Sequence, residues 1–344
     1  MKFPYQILNT PFLLPNTSKY AYEVWYWKLN PLNEPWSFWF RFTLLKNANR
    51  NVAEVWGIYS TKNSDCNILQ TQNTAIKVTF PIEKYRYQPD NNFITIKDNF
   101  VDFYSTLGHI HKDDKSIEWK LNLTPIAPQE SFNFMPFYLW KLGIVKNYAV
   151  TTHEKILFNG TIKVNGKEIM VENALGMQGH LAGLKQGHSW AWAHSCIFYD
   201  EENGEIAPII IDVLTARAKI GNKIVSPRLT TLFLHYEGKS YPLNSISDII
   251  KTQSRYNPLY WEFKTFSPNV QISASIDADI DTVVGVQYED TDASPLYCYN
   301  TKMANMKLEI YDRVSEKKKT FVSPSKCAFE WVQRELWDKV PISI

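Results

Sequence analysis

Apolar and polar residues alternate in short runs along most of this chain. AIKVTF (75–80), NFITIKDNFVDFY (92–104), SIEWKLNL (116–123) and KILFNGTIKVNGKEIMV (155–171) show the pattern. So do APIIIDVLTARAKI (207–220), LTTLFLHYEGKSYPL (229–243), VQISASIDADI (270–280) and MKLEIYDRV (306–314). Period-two alternation sends successive side chains to opposite faces, so each run reads as a strand. Asn-Gly at 159–160 and at 165–166 signals hairpin turns, and EENGE (201–205) and HYEGKS (235–240) read the same way. Many short strands with frequent turns predict an all-β sandwich or barrel rather than βαβ units. Helical signals are few. FMPFYLWKLGIV (134–145) reads as a short helix or an irregular connector. In CAFEWVQRELWDKV (327–340), Phe329, Val332, Leu336 and Val340 stand near helical spacing and predict a short closing helix after a last strand.

One run poses a question of its own. In GHSWAWAHS (187–195), alternation puts His188, Trp190, Trp192 and His194 on one face and Ser189, Ala191, Ala193 and Ser195 on the other. A barrel wall with its bulk inside satisfies the pattern. So does a pocket wall with acid–base groups at both ends.

A chain of 344 residues exceeds one typical core and suits two domains. No Ser/Gly-rich linker marks a boundary, so the expectation is two β domains, 1–175 and 176–344, packed against each other. The net charge of +2 gives no electrostatic case for nucleic acid. The run Lys317–Lys318–Lys319 sits beside Glu316 and reads as a solvated turn between strands. Aromatic residues make up 15% of the chain, which favours strands and also suits an apolar ligand pocket. The cysteines (Cys66, Cys196, Cys298, Cys327) form no CxxC pair, so no zinc spacing or dense disulfide framework is expected. Prolines interrupt the first residues, which lack a signal-peptide apolar core, and no apolar run reaches membrane-spanning length. The expected location is the cytoplasm.

Four segments, taken in order, resemble one family. YEVWYWKLNPLNEPWSFWFRFTLL (22–45) looks like its acidic-aromatic strand, Asn-Pro turn and aromatic-Arg-aromatic step. LGMQGHLAGLKQGHSWAWAHSCIF (175–198) looks like its Gln-x-His-x-x-Gly stretch followed by an aromatic-Ala-Trp strand. LYCYNTKMANMKLEIY (296–311) and SPSKCAFEW (323–331) look like its Cys/Asn/Lys/Ala strand and its final Ala-x-Glu element. The chain thus resembles the lipocalin-like hydroxyneurosporene synthase group, which includes carotenoid 1,2-hydratases, resembles tocopherol cyclases and is related to fungal Diels–Alder cyclases. The resemblance implies two lipocalin-like (calycin) β domains with a largely apolar cleft near their junction. Fold does not settle the reaction. The family motif continues His-Asn-Trp-Gly, whereas this chain has His180, Leu181, Ala182, Gly183, losing an amide and an indole.

The candidate chemistry is proton transfer beside aromatic rings. His180 and His188 can give or take a proton near neutrality. Trp190 and Trp192 present π-faces to a substrate or a developing cation. The competing reading is that both histidines are packed residues satisfied by backbone carbonyls. Glu23 shares a face with Trp25 and Trp27, where a carboxyl is either paired or held protonated as a general acid. Its expected partner is Arg41, on the next aromatic strand. Asn300 and Lys302 alternate on one face and can bind a carbonyl or stabilise an enolate; the competing reading for Lys302 is a plain surface or interdomain contact. Gln178 and His194 complete the candidate set. His109 and His111 form an HxH pair with Asp113 and Asp114 nearby, but GHIHKDDKS reads as a polar loop, so no metal is expected. No Gly-x-Ser-x-Gly elbow, phosphate loop or dinucleotide fingerprint occurs. The expected function is a cofactor-independent hydratase, cyclase or isomerase acting on an isoprenoid- or polyketide-like molecule. The alternatives are a non-catalytic lipid carrier of the same fold and a packed scaffold without a pocket.

Overall fold

The computed structural model describes residues 8–12, 19–63, 70–91, 93–142, 146–220 and 224–344. Cys66 lies outside them, and Cys196, Cys298 and Cys327 are buried free thiols. The architecture is two large antiparallel sheets of 12 strands each. In the first sheet, strand Ala21–Asn30 lies between Trp36–Lys46 and Lys167–Gly183. The sheet curls until Gln70–Pro81 approaches Ser105–Lys112. In the second, Ser189–Ser195 lies between Ile210–Arg217 and Lys317–Gln333.

All ten residues of Ala21–Asn30 are buried, because both of its faces are covered. Ala21, Trp25, Trp27 and Leu29 enter the core of the first barrel with Phe38, Phe40 and Trp119. Tyr22, Val24 and Tyr26 point the other way, into an apolar layer shared with the second sheet through Trp192, Ile210, Val286 and Cys298. The second barrel has its own core around Trp261, Phe263, Ile272 and Leu308.

Several sequence expectations change here. The chain passes between sheets through residues 184–188, because Lys167–Gly183 runs straight across the expected 175/176 junction. Residues 92–104 contain two short strands, Phe93–Ile96 and Asn99–Val101, turned at Lys97 with φ +55°. Asn165-Gly166 turns the hairpin, but Asn159-Gly160 sits inside Asn147–Val164 as a bulge. There Gly160 has φ +142° and a Cβ would stand 2.1 Å from the Lys120 carbonyl oxygen. GHIHKDDKS is a hairpin rather than a loop, turned at Asp113. The lysine run opens the last strand, Lys317–Gln333, with its side chains exposed. That strand also replaces the expected closing helix over 327–340. Its residues 326–332 are buried in succession, which is what a strand covered on both faces shows. The 134–145 segment contains one short helix, Phe137–Lys141.

Close strand approach fixes one glycine. A Cβ on Gly176 would lie 1.8 Å from the Lys28 carbonyl oxygen on the neighbouring central strand. Gly176→Ala is therefore expected to destabilise the protein by about 4 kcal/mol or more, within the range reserved for core disruption. Denaturant unfolding checks it; a change under about 1 kcal/mol, the size of an ordinary substitution, would contradict the packing described.

Candidate functional site

The strand Ser189–Ser195 alternates as its sequence requires, but the bulky face is not the barrel interior. Ala191 and Ala193 face the second barrel's core, whereas Trp192 and its neighbours face the first sheet. Small groups let the barrel close, and the indoles form the wall of a cleft between the sheets. Val24, Tyr26, Trp39, Arg41, Leu181 and Phe134 line it from the first sheet, and Trp190, Trp192, Leu214, Tyr288 and Glu330 from the second. The space open to a water-sized sphere is about 70 Å³. The cleft continues into a polar mouth at Arg50, Glu54, Lys77 and Glu289, with Val24, Arg41, Gln186 and Tyr288 common to both parts.

Polar groups meet at the aromatic end. Register places Glu330 opposite Trp192 on one side and Asn300 on the other. The Lys302 ammonium donates to Glu330 Oε1 at 2.8 Å and to Asn300 Oδ1 at 3.4 Å. It also lies 5.4 Å from the Trp39 ring and 5.5 Å from the Trp192 ring. Lys302 is thus a buried contact between the sheets that backs Glu330 from outside the cleft lining. Behind this row, Asp212 is fully buried and accepts hydrogen bonds from Trp192 Nε1 (2.9 Å) and from the Thr151 hydroxyl. Burial pushes its carboxyl up to about 7, against the opposing pull of those two donors. The Tyr26 ring packs edge-on against Trp192 at 5.7 Å. Its phenol is raised well above the ordinary value by burial, with the Asp212, Glu330 and Glu154 charges adding to it.

Arg41 sits at the junction of the two parts, 4.1 Å from the Trp56 ring and 4.5 Å from the Tyr288 ring. It does not pair with Glu23. Arg41 stands opposite Tyr26 in register and shares its face toward the cleft, while Glu23 faces the first barrel's interior. The expected set therefore divides. Glu23, Trp25, Trp27, Gln178 and His180 lie within the first barrel; Arg41, Trp190, Trp192, Asn300 and Lys302 lie at the sheet junction.

The first-barrel group is closed by residues 8–12. His180 is fully buried, with Nδ1 2.6 Å from the Leu8 carbonyl oxygen and Nε2 3.2 Å from Glu23 Oε1. The Phe12 N–H donates to the same Glu23 oxygen at 2.9 Å. Gln178 Nε2 and Trp25 Nε1 both donate to Asn9, and Trp25 stacks on His180 at 5.0 Å. Trp27 stacks on Phe40. His180 thus holds this segment directly through Nδ1 and by way of Glu23 through Nε2. His180→Gln is accordingly expected to lower the unfolding midpoint by several degrees, as loss of about 1–3 kcal/mol of buried hydrogen bonding does, and to leave ligand binding at the cleft within about twofold, a change too small for a lost contact. Thermal unfolding and a ligand titration of the same preparation check both halves.

His188 is half-buried in the connector, with its ring 3.3 Å from the Ser189 hydroxyl, outside the cleft lining. His194 is fully buried, with Nε2 3.1 Å from the Glu154 carbonyl oxygen and 3.6 Å from its carboxylate. Burial holds His194 well below and Glu154 well above their ordinary values at this contact between the sheets. His109 is exposed, 3.7 Å from Glu118, and no metal-binding cluster of His, Cys, Asp or Glu occurs among the described residues. No described helix is long and apolar enough to cross a membrane.

No family model matches the chain. An uncharacterised protein of Mycobacterium tuberculosis is 21% identical over 201 residues, and the match spans 58% of this chain and 57% of that relative's length. Three solved structures are similar over nearly the whole chain. CghA with Sch210972 matches at TM-score 0.53 and 10% identity, covering 94% of each chain. An AttH protein of Nitrosomonas europaea matches at 0.52 and 11%, covering 92% of this chain and 93% of that one. Kievitone hydratase from Nectria haematococca matches at 0.50 and 10%, covering 98% and 97%. The fold is theirs. It is an all-β architecture of two large antiparallel sheets.

Sequence reasoning missed Glu330, Asp212, Tyr26 and Tyr288. Glu330 was within reach as the Glu of CAFEW, and Asp212 as the lone carboxylate of PIIIDVL. The aromatic residues carried no signal of their own among so many others.

Proposed function

We propose that this protein is a cofactor-independent hydratase, cyclase or isomerase whose hydrophobic substrate binds in the cleft between its two sheets. The observation that carries the reading is Glu330, set into the aromatic wall of the cleft at the sheet junction and backed by the buried Lys302–Asn300 pair. Glu330 takes or returns a proton. Lys302, held in turn by Asn300, donates to the Glu330 carboxylate and steadies its charged form. That CghA, solved with Sch210972, and a kievitone hydratase share the fold supports small-molecule chemistry here.

The same geometry favours one substrate class over the other. Protonating an isoprenoid alkene leaves a carbocation, which indole faces stabilise by about 0.5–2 kcal/mol each. Here the ammonium of Lys302 already occupies the Trp39 and Trp192 faces and the guanidinium of Arg41 stands nearby. Glu330 offsets the Lys302 charge, but Arg41 has no carboxylate partner among the described residues, so its charge opposes a carbocation at the nearby indole and favours an anionic intermediate such as an enolate. The substrate is therefore a polyketide-like carbonyl compound, with Glu330 moving a proton at carbon or activating water for conjugate addition.

Whole-cell extract incubated with the protein and analysed by mass spectrometry tests this. Enzyme-dependent gain or loss of one water, or an isomer of unchanged mass, supports catalysis. A compound that binds and is recovered unchanged favours a carrier of the same fold.

A further inference from the structure

We infer that the cleft's ligand carries a permanent anionic group, a carboxylate or an acidic enol, which pairs with Arg41. The inference rests on the cleft being the binding site and adds the chemistry of the ligand's second end. Arg41 is 9% exposed, and its one hydrogen bond is from Nε to the Thr43 hydroxyl at 2.9 Å. Among the described residues no carboxylate lies within 4.0 Å of its guanidinium, although it borders both parts of the cleft.

The three carboxylates that line the cleft are committed elsewhere, Glu330 to Lys302. Glu54 accepts from Trp56 Nε1 at 3.1 Å and from the Thr79 hydroxyl at 3.3 Å, and lies 3.6 Å from Arg50. Glu289 pairs with Arg50. A buried guanidinium left without an anion is costly, and aromatic faces offset only part of that cost. The Trp39 ring lies 5.8 Å from the guanidinium, and its Nε1 is buried in the cleft wall with no partner among the described residues. Guanidinium binds a planar anion through two parallel hydrogen bonds, and the indole N–H adds a further donor on the same wall. Lys302 is spoken for by Glu330, so the two ends of the cleft have separate duties.

The probes are cis-parinaric acid and its methyl ester, titrated at pH 8 and followed by probe fluorescence and tryptophan quenching. The wild type is expected to bind the acid at least tenfold more tightly than the ester. In Arg41→Met the acid should weaken to the ester's level while ester binding stays within threefold. Arg41→Lys should keep part of the preference and serves as a folded control, with thermal unfolding of each variant alongside. Equal binding of acid and ester by the wild type would overturn the anion site while leaving the cleft reading intact. A preference for the acid that survives in Arg41→Met would overturn Arg41 as its cause. Failure of both probes to bind would overturn the cleft reading and this inference together.

Discussion

Glu330→Gln is expected to lower kcat by about 10²–10⁴-fold, the usual contribution of a positioned acid–base group, with KM changed only severalfold. Glutamine keeps an acceptor for the Lys302 ammonium but cannot carry the proton. The loss of charge also weakens the fold, because Lys302 is 3% exposed and Glu330 is its ion-pair partner. Removing one member of a buried pair costs about 3–5 kcal/mol when nothing replaces it, and less when an amide does. Lys302→Met leaves the carboxylate unpaired and should be the less stable single variant. Combining Lys302→Met with Glu330→Gln should recover stability and not turnover, a non-additivity expected of contacting groups. Turnover by Glu330→Gln within threefold of wild type would remove Glu330 from the chemistry.

The second large effect is on stability, and it has a defined pH window. Asp212 is expected to be a liability at alkaline pH. Its carboxyl titrates near 3.8 when exposed and near 7 in the fold, raised by burial. Between those values the native state keeps a proton that the unfolded chain releases, so stability falls as pH rises and the full cost is present above about pH 7. Roughly three pK units correspond to a few kcal/mol at about 1.36 kcal/mol each. Asp212→Asn can still accept from Trp192 and donate to the Thr151 hydroxyl. It should be more stable than wild type by about 2–4 kcal/mol at pH 8, with the advantage vanishing toward pH 4. His153, lowered by burial to about 4, imposes the opposite trend: stability present above pH 6.5 is lost as pH falls toward 4. That term is common to both proteins and cancels in the difference. Denaturant unfolding from pH 4 to 9 checks the curve, and a constant offset across that range would show that the carboxyl does not titrate as described.

The fold was legible because strand alternation and hairpin chemistry are local. The site was legible in part, for a physical reason visible in two strands. Alternation told which residues of GHSWAWAHS share a face but not which face looks into the barrel, since a strand buried on both sides satisfies the pattern either way. Glu23 and Arg41 lie on adjacent strands and invite pairing. Only the register, Tyr26 opposite Arg41, sends their side chains to opposite sides of the sheet. Glu330 escaped notice because residues 326–332 are buried in unbroken succession, which erases the period-two signal and leaves an accidental helical one. His180 drew attention as the histidine of the Gln-x-His-x-x-Gly stretch, but its role depends on residues 8–12, whose docking onto the barrel no local pattern reveals.

Native mass spectrometry of the wild type and of Leu214→Trp, both incubated with the same whole-cell lipid and metabolite extract, tests the central claim most directly. Leu214 lines the cleft, and an indole there fills a space of about 70 Å³ without touching the first barrel's interior. The account predicts a bound small molecule of discrete mass on the wild type that is absent from Leu214→Trp while both remain folded. An adduct retained equally by both proteins, or absent from both, would contradict a binding site between the sheets.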